Sequence, residues 1–139
     1  MSLGGASFNP IVCLDCNREV CPAGLDLSPS LIDDIAEWLR TYSAIDSLEL
    51  GSSEPYETWA RQQLLDPSNS INLEALDLTR RLSARRRCYF RFWQPNDGAG
   101  EIPHAACPIG GELLTPYNFG TFKQLLCEPH RIVLIAGDS

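Results

Sequence analysis

The chain has 139 residues, close to the size of one domain, and 44% hydrophobic with 21% charged residues is an ordinary globular composition. This composition excludes a disordered or fibrous chain, and the longest apolar run, residues 132–136, is too short to cross a membrane. The net charge of −7 is uneven, since residues 1–78 carry three Arg against 13 acidic residues and residues 79–139 carry eight Lys or Arg against five.

Six cysteines occur in a chain whose first residues lack the charged and apolar regions of a secretion signal. We therefore expect a reducing, cytoplasmic location, where thiols stay free or bind metal and do not form a disulfide framework. Residues 1–5 resemble an added leader and are left out of the fold prediction. The pair Cys13-x-x-Cys16 has the spacing of a metal hook. A redox role would need a helix start directly after it, which residues 17–22 do not supply.

Three helices are predicted between residues 28 and 87. The first is capped by Ser28 or by Ser30 and ends at Gly51, and its apolar residues recur at steps of three or four. Its expected inward stripe is Leu31, Ile35, Trp38, Tyr42 and Ile45. The second follows Ser53 and ends at Pro67, with Tyr56, Trp59, Ala60 and Leu64 inward. The third begins near Ser68 or Ser70, with Leu73, Leu76, Thr79 and Leu82 inward.

The residue pattern then changes from a helical period to the alternation of strands. "CYFRFW" at 88–93 alternates, with Cys88, Phe90 and Phe92 on one face. Three further short strands are predicted at 111–114, 121–126 and 131–136. The expected class is α+β: a three-helix N-terminal layer followed by a small antiparallel sheet. The chain 1–139 is taken as a single domain, with a Cys-rich and helical part at 6–94 and a ribbon subdomain at 104–137.

The order of these landmarks resembles the C-terminal part of a bacterial family of unknown function, described as zinc-ribbon-containing and linked to nucleic-acid binding. The resemblance covers about residues 12–137 and is carried by Cys13-x-x-Cys16, "WLRTYSAID" at 38–46, "ETWARQQLLDP" at 57–67, "CYFRFW", and "GTFKQLLCEPHRIVLIA" at 120–136. The family's ribbon has the form CPxCGG…CxxC. Cys107 and Cys127 match its first and third ligands. The second cysteine is absent near Gly110, and His130 stands at the fourth position, so the resemblance implies a degenerate zinc ribbon.

Structural zinc needs four cysteine or histidine ligands from two hooks, and the sequence leaves three alternatives open. In one, His104, Cys107, Cys127 and His130 form a complete set. In another, Cys107, Cys127 and His130 take a fourth ligand, Cys13 or Cys16, from the N-terminal segment. In the third, no metal is bound and apolar residues hold the small sheet together. Zinc is thus a candidate cofactor.

No catalytic constellation is recognisable, so the sequence predicts a non-enzymatic interaction module without a membrane or small-molecule ligand. "RRLSARRRCYFRFW" at 80–93 mixes cations with aromatic residues, as single-stranded nucleic-acid surfaces do. The residues expected to carry such binding are Arg80, Arg81, Arg85, Arg86 and Arg87. A solvated helix end would also explain this band. The competing hypothesis is an acidic protein-binding or immunity-type factor whose N-terminal portion engages a basic protein.

Overall fold

The computed structural model contains helices and a six-stranded mixed sheet. It describes residues 1–5, 9–95, 106–119 and 122–136, without the side chains of residues 119 and 122. The α+β class is confirmed. Cys88, Phe90 and Phe92 lie together in the main core, as the alternation of residues 88–93 predicts.

The strands come from both ends and the middle of the chain. They are β1 (Ser2–Leu3), β2 (Ile11–Val12), β3 (Tyr89–Arg91), β4 (Thr115–Phe119), β5 (Phe122–Cys127) and β6 (Ile132–Ile135). Their order across the sheet is β2-β1-β3-β6-β5-β4. Strand β3 pairs in parallel with both β1 and β6, whereas the outer pairs are antiparallel.

The antiparallel sheet expected from the sequence is therefore wrong: the sheet is mixed. Its predicted first strand at 111–114 is also displaced, because Leu113 makes only an isolated bridge to Ala106 and β4 begins at Thr115. Residues 1–5 are not a leader outside the fold. Strand β1 lies between β2 and β3, and Leu3 is fully buried. Two-residue strands carry too little periodicity to be recognised before their partners are known.

The helical segment follows a short 3-10 helix at Pro22–Leu25 and contains α1 (Pro29–Gly51), α2 (Tyr56–Leu65) and α3 (Ser70–Ser83). The first is confirmed in detail. The Ser28 hydroxyl accepts a hydrogen bond from the backbone N–H of Leu31 at 3.2 Å, which caps the helix. The buried residues of α1 are the five predicted: Leu31, Ile35, Trp38, Tyr42 and Ile45.

The expected layer of three helices is wrong, because in the described part of the chain α1 and α3 pack on the sheet and α2 packs chiefly on α1. Trp38 of α1 meets Phe90 of β3 with ring centroids 6.2 Å apart, and its indole N–H donates to the carbonyl of Ile71 at 2.9 Å. Helix α2 packs chiefly against α1. Consequently Tyr56 and Trp59, predicted to face inward, are exposed.

The inward stripe predicted for α3 is also partly wrong. Leu73 is exposed, and Leu76 is only half-buried. The residues of α3 that are buried are Ile71, Asn72, Ala75, Leu78, Thr79 and Leu82. The helix is thus rotated relative to the prediction, because packing between α1 and the sheet selects Ala75 and Leu78 for the interior.

None of the helices in the described ranges combines the length and the apolar character that a membrane span needs.

The burial of Leu3 gives a first prediction. Leu3→Ala should lower the free energy of unfolding by about 2 to 5 kcal/mol, because it removes packing at the centre of the sheet. Leu50→Ala is the matched control: Leu50 is 70% exposed, so its replacement should change stability by about 0.5 kcal/mol at most. Urea unfolding of both variants measures the difference. Equal effects would contradict the central position of β1.

Candidate metal centre

Two tight turns meet at one end of the sheet. In the first, the backbone N–H of Cys107 donates to the carbonyl of Glu112 at 2.8 Å, and the N–H of Gly111 donates to the carbonyl of Cys107 at 2.9 Å. In the second, Cys127 ends β5 and pairs with Ile132 at the start of β6. The fifth residue of each turn has positive φ, +78° at Gly111 and +54° at Arg131. Glycine adopts this conformation without strain, whereas arginine adopts it at a cost.

The turns bring four candidate ligand atoms together. One atom each from Cys107, Glu112, Cys127 and His130 lies within 4.8 Å of all the others. His130 Nδ1 is 3.0 Å from Glu112 Oε2, and Cys127 Sγ is 3.7 Å from both of these atoms. These residues can hold a metal ion.

The spacing of these atoms suits a tetrahedral ion. Zinc–sulfur bonds of about 2.3 Å and zinc–nitrogen or zinc–oxygen bonds of about 2.0 Å place neighbouring ligand atoms of a tetrahedron roughly 3.3 to 3.8 Å apart. The distances of 3.0 and 3.7 Å fall at or near that range. An ion could therefore be accommodated by small movements of side chains, with the two turns unchanged.

Burial divides the four residues into two pairs. Cys107 and Cys127 are 3% and 1% exposed and belong to the main core, so sheet packing holds the sulfur atoms in place. The side chains of Glu112 and His130 are 40% and 34% exposed. The centre is thus anchored on its sulfur side and reachable by solvent on its oxygen and nitrogen side.

The protonation of the cluster follows from these surroundings. Burial raises the pKa of the Cys127 thiol to about 11, so this thiol keeps its proton at neutral pH when no ion is bound. The backbone N–H of Glu112 itself lowers the pKa of its carboxyl, and His130 lowers that pKa further. A metal ligand must be a thiolate, so metal binding would release the Cys127 proton.

Gly110 supplies the space in which two of these side chains meet. A Cβ at this position would overlap the carboxylate of Glu112 and the ring of His130. The three atoms nearest to this Cβ all belong to the ends of rotatable side chains. A larger residue here would displace two candidate ligands and leave the fold intact.

The structure brings three of the six predicted metal residues together. Cys107, Cys127 and His130 belong to the group, and its fourth member is Glu112, which the sequence analysis missed. The signal for Glu112 is its place five residues after Cys107, opposite it across the turn. Carboxylates were not considered there, because ribbon hooks are recognised by cysteine and histidine. His104 lies outside the described residues.

Cys13 and Cys16 do not join this group, but their turn has the same form. The N–H of Cys13 donates to the carbonyl of Arg18 at 2.8 Å, the N–H of Asn17 donates to the carbonyl of Cys13 at 3.0 Å, and Asn17 has φ of +56°. The backbone N–H of Cys16 points at the Cys13 sulfur and lowers the pKa of that thiol. All six cysteines, each within the described residues, are free thiols.

The predicted arginine band is divided between two places. Arg80 and Arg81, in the last turn of α3, pair with Asp77, and Arg81 also lies 2.8 Å from Asp34 of α1. The other three follow the helix and are exposed: Arg85, Arg86 and Arg87. Arg87 lies 3.8 Å from Glu128. Three of the five arginines of the band therefore have acidic partners.

Comparisons of the chain with models of protein families, with curated proteins and with solved structures found no match.

Gly110→Ala gives the second prediction. It should weaken metal binding about tenfold or more, because the new methyl group displaces the carboxylate of Glu112 and the ring of His130. Competition with a chromophoric chelator measures the affinity. Gly51→Ala is the control, since a Cβ there meets nothing within 4 Å. Unchanged affinity in Gly110→Ala would contradict the participation of Glu112 and His130.

Proposed function

We propose that this protein is a non-enzymatic interaction module whose ribbon-like end is held by a structural zinc ion. The proposed ligands are Cys107, Glu112, Cys127 and His130. The observation that carries this proposal is the convergence of their four ligand atoms within 4.8 Å from two neighbouring turns. The proposal also extends the resemblance to zinc-ribbon proteins, in which Cys107 and Cys127 occupy ligand positions.

The donor types favour zinc over other common ions. Two thiolates select a soft or borderline ion, which argues against calcium and magnesium, and imidazole with carboxylate completes a set that zinc accepts. Four protein ligands leave no open position for a substrate or an attacking water. The expected role of the ion is therefore to fasten the turn at 107–112 to the β5–β6 turn.

The favoured interaction surface lies on the sheet face away from the helices. A cleft there is lined by Arg86, Arg87, Tyr89 and Tyr117, among others. The guanidinium of Arg131 lies 5.5 Å from the centre of the Tyr89 ring. Arginines beside tyrosines suit a single-stranded nucleic acid, whose phosphates need cations and whose bases stack on rings. Asp15 and Glu128 also line this cleft and moderate its charge.

A second candidate is supported by a groove between α1 and α3. Four carboxylates line it, from Asp34, Glu37, Glu74 and Asp77, and Arg81 pairs with the first and last of them. Leu73 is 53% exposed in the same groove and offers an apolar contact. Such a groove suits a basic, partly apolar segment of another protein, which is the alternative role of an acidic protein-binding factor.

Metal content tests the zinc centre. Purified protein should carry zinc at this site, and Cys127→Ser should lose it, because serine does not replace a thiolate ligand. Cys88→Ser is the matched control, since Cys88 is an equally buried core thiol outside the cluster. Elemental analysis with circular dichroism separates lost metal from lost fold.

Glu112→Gln extends this test, because the residue is half-exposed and its change should not disturb the core. It should weaken zinc binding without changing the apo fold. Equal zinc in the wild type, Cys127→Ser and Glu112→Gln would contradict the proposed ligand set.

Charge reversal separates the two partner surfaces. Arg86→Glu with Arg87→Glu should weaken binding of a single-stranded oligonucleotide at least tenfold, and raised salt should weaken the wild type as well. Arg40→Glu is the control, an exposed cation on α1 far along the chain from the cleft. Fluorescence anisotropy measures each affinity. If Glu37→Lys with Glu74→Lys instead abolishes binding of a lysine-rich peptide and oligonucleotides do not bind, the second candidate replaces the first.

A further inference from the structure

A Cys-x-x-Cys turn at the surface shares no residue with the proposed zinc centre. Cys13 and Cys16 occupy a turn that matches the 107–112 turn in its two backbone hydrogen bonds and in the positive φ of its fifth residue. Unlike that turn, it keeps both cysteines of the Cys-x-x-Cys spacing. Successive backbone N–H groups in such a turn form a concave site that stabilises negative charge, here on a thiolate.

The backbone conformation and hydrogen bonds around Asn17 hold this turn in place. Asn17 adopts φ of +56°, which asparagine tolerates better than most residues other than glycine. The hydrogen bond from Val20 N–H to the carbonyl of Ile11, 2.9 Å, continues the pairing beyond the turn and ties it to β2. The two thiols are thus presented by a closed, hydrogen-bonded loop.

This hook has only two ligands of the four that a zinc ion requires. Among the described residues, the only group of three or more candidate ligand side chains is the cluster around Cys127, so no third ligand reaches Cys13 and Cys16. The third N-terminal cysteine, Cys21, is exposed but does not complete a group with them. A soft ion bound here by one chain alone would lack half its coordination shell.

Exposure shows where the missing ligands can come from. Cys16 is exposed and Cys13 is half-buried, so both sulfur atoms can be approached from outside the molecule. A second copy of this chain carries an identical pair of thiols. Two hooks related by a twofold axis supply four thiolates around one ion, which is the tetrahedral set that zinc prefers.

We propose that Cys13 and Cys16 form half of a zinc site that is completed by the same two residues of a second copy, so that the ion joins two chains into a symmetric dimer. One ion is shared by two chains, and its binding releases the protons of the thiols it takes up. This site does not depend on the centre at Cys127, because the two ligand sets have no residue in common.

Molecular mass in solution tests the proposal. With a non-thiol reductant present, zinc should shift the wild type from the 15.4 kDa of one chain to twice that mass, and a chelator should reverse the shift. Analytical ultracentrifugation measures the mass. Cys13→Ser and Cys16→Ser should stay monomeric in zinc, and each should hold half a zinc per chain less than the wild type.

Matched variants keep the two metal sites distinguishable. Cys21→Ser and His104→Ala should still form the dimer, because neither residue belongs to the hook. Glu112→Gln should also dimerise even where it loses zinc at the other centre. A failure of the proposed zinc centre would therefore leave the dimer result unaffected.

Four results would each overturn the proposal. The wild type remains monomeric when zinc is in excess and the thiols are reduced. A dimer forms equally in Cys13→Ser and Cys16→Ser. Zinc binds to a monomer at the hook and is lost in Cys21→Ser or His104→Ala, which would show a site within one chain. A dimer that resists the chelator and dissociates only with reductant would be a disulfide and would equally reject it.

Discussion

The parallel pairing of β1, β3 and β6 is the constraint on which the rest of the structure depends. It places Leu3, Phe90 and Ile132 side by side in one row, and all three are fully buried. These residues come from the two ends and the middle of the described chain, so their contact closes long loops at an entropic cost. Burial of apolar surface between this row and helices α1 and α3 offsets that cost.

The candidate metal centre is a consequence of this sheet. Ile132 begins β6 beside β3 and pairs with Cys127, so the β5–β6 turn is fixed by the central strands. The turn at 107–112 then needs only to approach it from the edge of the core. Core packing fixes the position of the two sulfur atoms. The carboxylate of Glu112 and the ring of His130 are partly exposed, so an ion can reach the centre from solvent.

The cysteines fall into groups with different physical roles. Cys88 is buried beside aromatic residues, and burial raises the pKa of its thiol to about 12, as expected of a small core residue. Cys107 and Cys127 combine core packing with a place among candidate ligands. Cys13 and Cys16 stand at the surface in a hook of the same form. The turns that begin at Cys13 and Cys107 thus share one hydrogen-bonding pattern in different surroundings.

The sequence by itself determined the α+β class, the stripe of α1 and the shared core face of Cys88, Phe90 and Phe92, because each depends on a local period of apolar residues. It also indicated Cys107, Cys127 and His130 through their spacing. Only the tertiary structure decided that the sheet is mixed, that α1 and α3 face it, and that Glu112 completes the cluster. These features depend on contacts between residues far apart in the chain or across a turn, and no local period records which strand lies beside which.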